Sequence, residues 1–152
     1  MRVWSERLFN KEYKMNMDLI KKAGETILQP YQNCALALFD LQDYPTASTI
    51  TVAKNDGINW ITMCTGLCSN KVQRIKKNNK ASLCFGSVEP LYNITLVGTI
   101  EILTDPDIKK EMWYEGLEMH FKGHDDQNYC VLKFTTKRYN LFVDMQEEAG
   151  EL

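Results

Sequence analysis

Short runs of apolar and β-branched residues recur along the sequence, and turn-forming residues separate them at close intervals. The longest run, YNITLVGTIEIL at 92–103, contains no proline and predicts a major strand. The other strand-like runs are CALALFD (34–40), ASTITVAK (47–54), INWITMC (58–64), ASLCFGS (81–87) and NYCVLKFTTKRYNLFVD (128–144). Asn55-Asp56-Gly57 carries the Asp-Gly hairpin signal, so its flanking strands should be antiparallel. Strands joined in this way predict a closed or nearly closed antiparallel barrel, since closure removes exposed edges.

Both ends of the sequence differ from these runs. Residues 16–30 predict an amphipathic helix that ends at Pro30, and residues 1–30 are assigned as an N-terminal helical segment. The apolar face of this helix consists of Leu19, Ile20, Ala23 and Ile27. The acidic tail at 146–152 is expected to fray or to lie on the surface.

Two further helices are predicted between the strands. Residues 70–78 predict a short helix in which Val72 and Ile75 face inward and the basic side chains face outward. The Asp105-Pro106 pair predicts a helix start, with the aspartate as N-cap and the proline at the first helical position. This last helix is expected to cover 105–121, so peripheral helices complete a mainly β, α+β domain.

The composition limits the classes of function. With 152 residues the chain should form a single domain. The net charge of −2 gives no support to a nucleic-acid surface. No apolar run approaches the about 20 residues that span a bilayer, and the charged N-terminus lacks the apolar core of a signal peptide. The sequence therefore predicts a cytoplasmic protein without nucleic-acid or membrane partners.

Cysteine and histidine patterns do not predict a metal site. The five cysteines are an odd count, and three of them lie within apolar runs, which favours reduced, buried thiols. Cys64 and Cys68 are four residues apart and have no second pair that would complete a tetrahedral site. His120 and His124 flank a glycine and are expected to be exposed at a helix end.

The stretch TGLCSNK, Thr65 to Lys71, is the candidate binding loop. A phosphate needs free N–H groups at a helix N-terminus, a hydroxyl and a cation. Ser69 offers a hydroxyl and its own backbone N–H, Asn70 and Lys71 offer backbone N–H groups, and Lys71 adds an ammonium. Hydroxyls of Ser48, Thr49 and Thr51 could add donors.

An ordinary strand-to-helix turn is the alternative interpretation of this loop. Serine is a common N-cap, so Ser69 alone does not indicate a ligand. From these residues alone the plain turn is the favoured interpretation, and phosphate binding by the loop remains the alternative hypothesis.

The order of several segments resembles the FMN-binding split-barrel superfamily of pyridoxamine 5′-phosphate oxidase, in particular its general-stress-protein branch. The segments are ASTITVAKNDG, TGLCSNKVQRIKKNNKASLCF, YNITLVGTIEILTDPDIKKEMW and NYCVLKFTTKRYNLFVD. The resemblance covers residues from about 34 to the end. It implies an antiparallel split β-barrel and a homodimer with FMN at the subunit interface.

The resemblance also implies roles for particular residues. The strand containing Ser48, Thr49, Ile50 and Thr51 would run alongside the flavin ring and the ribityl chain, and Cys64 and Thr65 would lie near the flavin. Ser69, Asn70 and Lys71 would hold the phosphate. Asn93 matches a glutamine of the family that reaches the flavin. No catalytic side chain is assigned, and no metal is implied.

Two departures from the family pattern affect the expected chemistry. The oxidases carry an arginine at position 48 and usually a basic residue at position 70, whereas this sequence has Ser48 and Asn70. The phosphate would then depend on Lys71, the helix N-terminus and hydroxyls, with Lys54 or Arg74 as helpers. Because the substrate-phosphate residues of the oxidases also have no match, the resemblance does not extend to true pyridoxamine 5′-phosphate oxidation.

Three hypotheses follow from the resemblance. The first is an FMN-dependent oxidoreductase acting on an unknown small molecule. The second is a non-catalytic flavin-binding protein linked to stress, and the third is a cofactor-free dimeric barrel, which the neutral positions 48 and 70 favour. The deazaflavin F420 is the alternative cofactor.

Overall fold

The structure is a computed structural model that describes the backbone of residues 2–28 and 32–152, and the side chains of these residues except 2–5, 9, 12, 13 and 15. The strands are β1 (Asn33–Phe39), β2 (Pro45–Asp56), β3 (Trp60–Gly66), β4 (Lys80–Val88), β5 (Leu91–Leu103), β6 (Tyr129–Val143) and β7 (Gln146–Glu151). The helices are α1 (Arg2–Ile27), α2 (Asn70–Lys77) and α3 (Pro106–Glu111), followed by a 3₁₀ turn at Leu117–Met119.

All the strands belong to one antiparallel sheet that closes on itself. The order is β3-β2-β1-β4-β5-β6-β7, and β3 also pairs with β6. This second pairing makes β1 to β6 a six-stranded barrel, while β7 lies at the free edge of β6. The predicted mainly β barrel with peripheral helices is confirmed.

The barrel interior follows from the alternation of side chains along each strand. Inward residues of β1, β4, β5 and β6 are almost completely buried, and they form one hydrophobic core. Helix α1 covers one end of this core with Leu19, Ala23 and Ile27, close to the β2–β3 hairpin. Helix α2 covers the other end with Val72 and Ile75, as the sequence predicted.

The helix predicted over 105–121 is wrong beyond its first turns. Its start is confirmed, because the Asp105 carboxylate accepts the backbone N–H groups of Asp107 and Ile108. Helix α3 nevertheless ends at Glu111, and Gly116 has a φ of 104°, which a helix interior cannot contain. The apolar residues that follow pack as a separate small cluster outside the barrel.

The terminal segments are more regular than the sequence indicated. Helix α1 begins at Arg2 rather than at residue 16, since residues 2–15 contain many straight-chain helix formers. The predicted stop at Pro30 lies outside the described residues. The acidic tail forms β7, which pairs with β6 and is mostly exposed, so it lies on the surface and is not frayed. No helix in the described part of the chain is long and apolar enough to cross a membrane.

Gly98 is predicted to be essential for the seam between β5 and β6. It lies at a register shift in β5, and a Cβ there would overlap the backbone carbonyl of Thr135. Gly98→Ala should therefore lower the free energy of unfolding by about 2 kcal/mol or more in a urea titration. Gly86→Ala is the matched control, because its nearest neighbour would be 3.8 Å away. Equal stability of the two variants would contradict this account.

Candidate functional site

A gap opens in the barrel wall between β2 and β3. The two strands pair from Asp56–Trp60 to Val52–Met63, and no pairing between them continues beyond this point. Further along, β2 pairs with β1 alone and β3 pairs with β6 alone. The gap is lined by Ser48, Thr49, Ile50 and Thr51 on one side and by Cys64 and Thr65 on the other. The structure therefore brings six of the predicted site residues to one cleft.

Strand β2 turns backbone hydrogen-bonding groups into this gap. The N–H of Val52 donates to the Gln32 carbonyl over 2.9 Å, on the β1 side. Because these groups alternate sides along a strand, the N–H and C=O groups of Thr49 and Thr51 point away from β1. Within the described residues no strand pairs with this edge. Backbone groups of this kind need a partner, so the edge can accommodate a polar ligand.

The side chains of β2 face two directions. Ile50 is buried in the core, and Ser48, two residues before it, faces the same inward side. Thr49 and Thr51 face outward, and the Thr51 hydroxyl donates to Asn33 Oδ1 over 2.7 Å. Side chains that face outward and side chains that face the barrel interior therefore both border the gap.

The predicted binding loop lies at the open end of the gap. The Ser69 Oγ accepts the N–H of Val72 and the hydroxyl of Thr65, each over 3.3 Å. The Ser69 N–H is already used, because it donates to the Gly66 carbonyl over 3.0 Å. Ser69 is therefore an N-cap, and its hydroxyl proton remains available for a ligand.

Two backbone N–H groups at the start of α2 are free to bind an anion. Asn70 and Lys71 occupy the first helical positions, and no protein acceptor in the described part of the chain meets either N–H. The Lys71 side chain is partly exposed, and it forms no ion pair with any described residue. This arrangement combines a helix N-terminus with one uncommitted cation.

The other two candidate cations are engaged elsewhere. Lys54 Nζ pairs with the Glu111 carboxylate at 3.4 Å, on the outside of the barrel. Arg74 donates to Thr46 Oγ1 over 3.1 Å, and its charge together with that of Lys77 helps to keep the pKa of the nearby Asp40 below its usual value. Backbone N–H donors from Tyr44 and Gln42 are the main cause of that shift. Lys71 is thus the best placed of the three for an anion.

Asn128 holds the binding loop in place, a role that no local sequence pattern indicates. Its carbonyl accepts the Leu67 N–H over 2.6 Å, and its Oδ1 accepts the Cys68 N–H over 3.1 Å. A Cβ on Gly66 would lie 2.9 Å from the Asn128 Nδ2. A loop contact across 60 residues depends on the barrel closure, so no local pattern predicts it.

Cys64 faces outward from the gap and into the small external cluster. Its thiol lies 3.5 Å from the Tyr129 hydroxyl, and burial raises its pKa to about 11. Met112, Trp113, Leu117 and Phe121 pack in the same cluster. Tyr114 also packs against this cluster, and nothing in the sequence predicted a role for it.

Asn93 is not brought to this gap within one chain. It lies at the start of β5 on the outward face, exposed, and its Oδ1 accepts the Thr95 hydroxyl over 3.2 Å. Strands β1 and β4 separate it from β2. A contact of Asn93 with a ligand in the gap would therefore need a second copy of the chain.

The described residues contain no group of three or more His, Cys, Asp or Glu side chains arranged to hold a metal ion. His120 and His124 are exposed, as expected. All five cysteines are free thiols, and only Cys68 among them is exposed.

A closed barrel with a local gap, a loop beside it and a helix N-terminus defines a split barrel with a candidate anion site. The model of the family described as pyridoxamine 5′-phosphate oxidase matches residues 20–142. The chain therefore belongs to the pyridoxamine 5′-phosphate oxidase family. A search of curated protein sequences found no significant match.

Solved structures support the fold across nearly the whole chain. A Clostridium acetobutylicum protein related to general stress protein 26 of B. subtilis is 27% identical, with a TM-score of 0.77, covering 89% of this chain and 95% of that one. General stress protein 26 of Bacillus anthracis is 20% identical, with a TM-score of 0.74, covering 88% and 98%. A Nostoc punctiforme protein described as pyridoxamine 5′-phosphate oxidase-related and FMN-binding is 12% identical, with a TM-score of 0.63, covering 92% and 96%. The last two likenesses concern the fold alone.

Cys68 is predicted to be the thiol that reacts first. Burial raises the pKa of Cys34 to about 12 and those of Cys64 and Cys130 to about 11, so these thiols stay protonated at pH 8. Brief iodoacetamide treatment of the native protein at pH 8 should label Cys68, as mass spectrometry of peptides would show. Cys68→Ser should remove most of the native-state label. Labelling of Cys64 as fast as Cys68 would contradict this prediction.

Proposed function

We propose that this protein binds FMN in the gap between β2 and β3 and acts as a flavin-dependent oxidoreductase on a small molecule. The observation that carries the proposal is the unpaired edge of β2. This edge borders the gap whose open end holds the N-terminus of α2 and Lys71. The FMN-binding description of the Nostoc punctiforme protein of similar fold adds support.

The open end of the gap suits the phosphate group. Three consecutive residues at this helix start supply four donors: the N–H groups of Asn70 and Lys71, the Ser69 hydroxyl proton and the Lys71 ammonium. A phosphate carries close to two negative charges, so a cation and a helix N-terminus offset it in part. Ser48 and Asn70 are neutral, so binding should depend strongly on Lys71.

The β2 edge suits the polar rim of a flavin ring. That rim alternates carbonyl oxygens and ring N–H or N groups, and the edge at Thr49 and Thr51 presents backbone N–H donors and C=O acceptors. Fixed backbone groups bind such a rim without the entropic cost of ordering side chains. The residues present therefore fit FMN.

FMN, when bound, supplies hydride or electron transfer, and the chain supplies placement and hydrogen bonds. The thiol of Cys64 is held protonated by burial, so it is not a base at neutral pH. No acid–base pair is required of the side chains. We propose that the substrate is not pyridoxamine 5′-phosphate, because the residues with which the oxidases bind the substrate phosphate have no match in this sequence.

We propose that the protein is a homodimer in which the flavin lies at the subunit interface. The middle of the outer face of β2, β1, β4 and β5, with three residues from each strand, contains no charged side chain, and Lys80 lies at its border. This uncharged face consists of Ala47, Thr49, Thr51, Asn33, Ala35, Ala37, Ser82, Cys84, Gly86, Asn93, Thr95 and Val97. A quarter of all residues are charged, 25%, so a charge-free surface of this extent favours burial against a second copy. Asn93 would then reach the partner's gap.

Two further aspects of the proposal follow from the same residues. The hydrogen-bond donors described above would also bind F420, because its phosphate and ring system are related to those of FMN. The binding test therefore identifies the cofactor. Free thiols at all five cysteines fit a reducing compartment, which supports a cytoplasmic location.

Lys71→Ala is predicted to weaken FMN binding by about 10- to 100-fold, since a hydrogen bond to a charged group contributes about 1.5–3 kcal/mol. Riboflavin, which lacks the phosphate, should bind the variant and the original protein alike. Titration of both flavins, followed by fluorescence, gives these values. Lys76→Ala is the control, because Lys76 is exposed on the same helix and its substitution removes the same charge. An unchanged FMN affinity in Lys71→Ala would place the phosphate elsewhere.

Oxidoreductase activity is tested with the FMN-loaded protein. NADH or NADPH should bleach the absorption band of the bound flavin under anaerobic conditions, and air should restore it. If FMN binds but no reductant or acceptor supports turnover, the protein is a non-catalytic flavin binder. If FMN and F420 both fail to bind, the cofactor-free dimeric barrel is the better description.

Ala35→Arg is predicted to disrupt the dimer. Ala35 is partly buried and pairs with Thr49 and Cys84 in the middle of the uncharged face, so an arginine there would be buried without a partner. Analytical ultracentrifugation should give twice the chain mass for the original protein and the chain mass for the variant. The control is Thr135→Arg, because Thr135 is exposed on β6 at the opposite side of the barrel. This variant should remain dimeric. A monomeric original protein would refute the proposed interface.

A further inference from the structure

The segment 104–128 between β5 and β6 packs against the outside of β3. The hydroxyl of Thr62 donates to Met112 Sδ over 3.1 Å, and Lys54 of β2 pairs with Glu111. Trp113 packs edge-on against Tyr129, with ring centroids 5.3 Å apart. These contacts fix the residues that follow α3 beside the gap.

A buried lysine strengthens this anchoring. Lys109 is 8% exposed, its Nζ donates to the Asp126 carbonyl over 2.8 Å, and its ammonium lies 5.4 Å from the centre of the Tyr129 ring. The Tyr129 hydroxyl in turn donates to the Lys109 carbonyl over 3.0 Å. The two ends of the segment 104–128 are thereby tied together, which limits the movement of its middle part.

Tyr114 lies in that middle part, at the closed end of the gap. It packs in the external cluster together with Cys64, and the Cys64 thiol lies 3.7 Å from the nearby Met112 carbonyl. Thr51 and Cys64 flank the point at which β2 and β3 cease to pair. Ser48 lies three residues away along β2, about 10 Å towards the binding loop.

The Tyr114 hydroxyl is a neutral donor at physiological pH. Burial raises its pKa above the ordinary tyrosine value, and the neighbouring Cys64 contributes to the rise, while Thr51 opposes it. The Thr51 proton is already donated to Asn33. The Tyr114 hydroxyl makes no hydrogen bond with any described residue, so its proton is available to an acceptor atom that enters the gap.

We propose that Tyr114 is a positioning residue whose hydroxyl donates a hydrogen bond to the ring system of the flavin, at the end of the gap away from the phosphate. This inference rests on the proposed flavin binding. Its contact is with the ring, so it acts equally on flavins with and without a phosphate.

The test is a titration of Tyr114→Phe with FMN and with riboflavin, in which the substitution removes one oxygen and keeps the ring. Both affinities should fall by about 3- to 10-fold, as for a neutral hydrogen bond. The absorption band of the bound flavin should also shift, which a packing change remote from the ring would not produce. The control is Tyr139→Phe, because Tyr139 lies beside Gly150 on the β6–β7 hairpin, away from the gap. Its affinities and spectrum should match those of the original protein.

Each other outcome overturns the inference in a distinguishable way. Flavin affinities within about twofold of the original, with an unchanged spectrum, would show that the Tyr114 hydroxyl makes no contact with the ring. A loss confined to FMN would place the hydroxyl at the phosphate. Failure of the original protein to bind either flavin would refute the proposed function itself, together with this inference.

Discussion

The separation of β2 from β3 beyond Val52 and Met63 is the constraint on which the site depends. A barrel normally satisfies every strand edge by closure, and here closure is completed by β3–β6 pairing while part of β2 keeps a free edge. An exposed edge invites aggregation unless something covers it. A planar ligand with a polar rim would satisfy the free N–H and C=O groups and fill the gap, so the proposed cofactor would also account for this irregularity of the fold.

The elements around the gap each contribute one part of the proposed site. Helix α2 carries two free N–H groups and Lys71 at the open end of the gap. Asn128, the residue directly before β6, holds the loop that precedes this helix. The segment 104–128 packs on β3 and places Tyr114 at the closed end. The uncharged face adjoins the gap through Thr49 and Thr51, which explains why a flavin bound there would border a second subunit.

The sequence predicted the strands, the 70–78 helix and its buried residues because these follow local periodicity. The resemblance to a known family led to the residues that line the gap. What the sequence could not predict depends on contacts between distant segments. The roles of Asn128 and Tyr114 arise only when β6 pairs with β3 and the segment 104–128 docks outside the barrel. The overlong helix prediction failed because α3 ends at Glu111 and Gly116 follows in a left-handed conformation.

The most direct test of the account is amide hydrogen exchange at Thr49, Ile50 and Thr51, measured by NMR with and without FMN. The N–H groups of Thr49 and Thr51 face the gap and should exchange rapidly in the free protein. The N–H of Ile50 points towards β1 and should be protected. Saturation with FMN should slow exchange at Thr49 and Thr51 markedly and leave Ile50 almost unchanged. Unaltered exchange at Thr49 and Thr51 in the presence of bound FMN would contradict the claim that this strand edge is the flavin site.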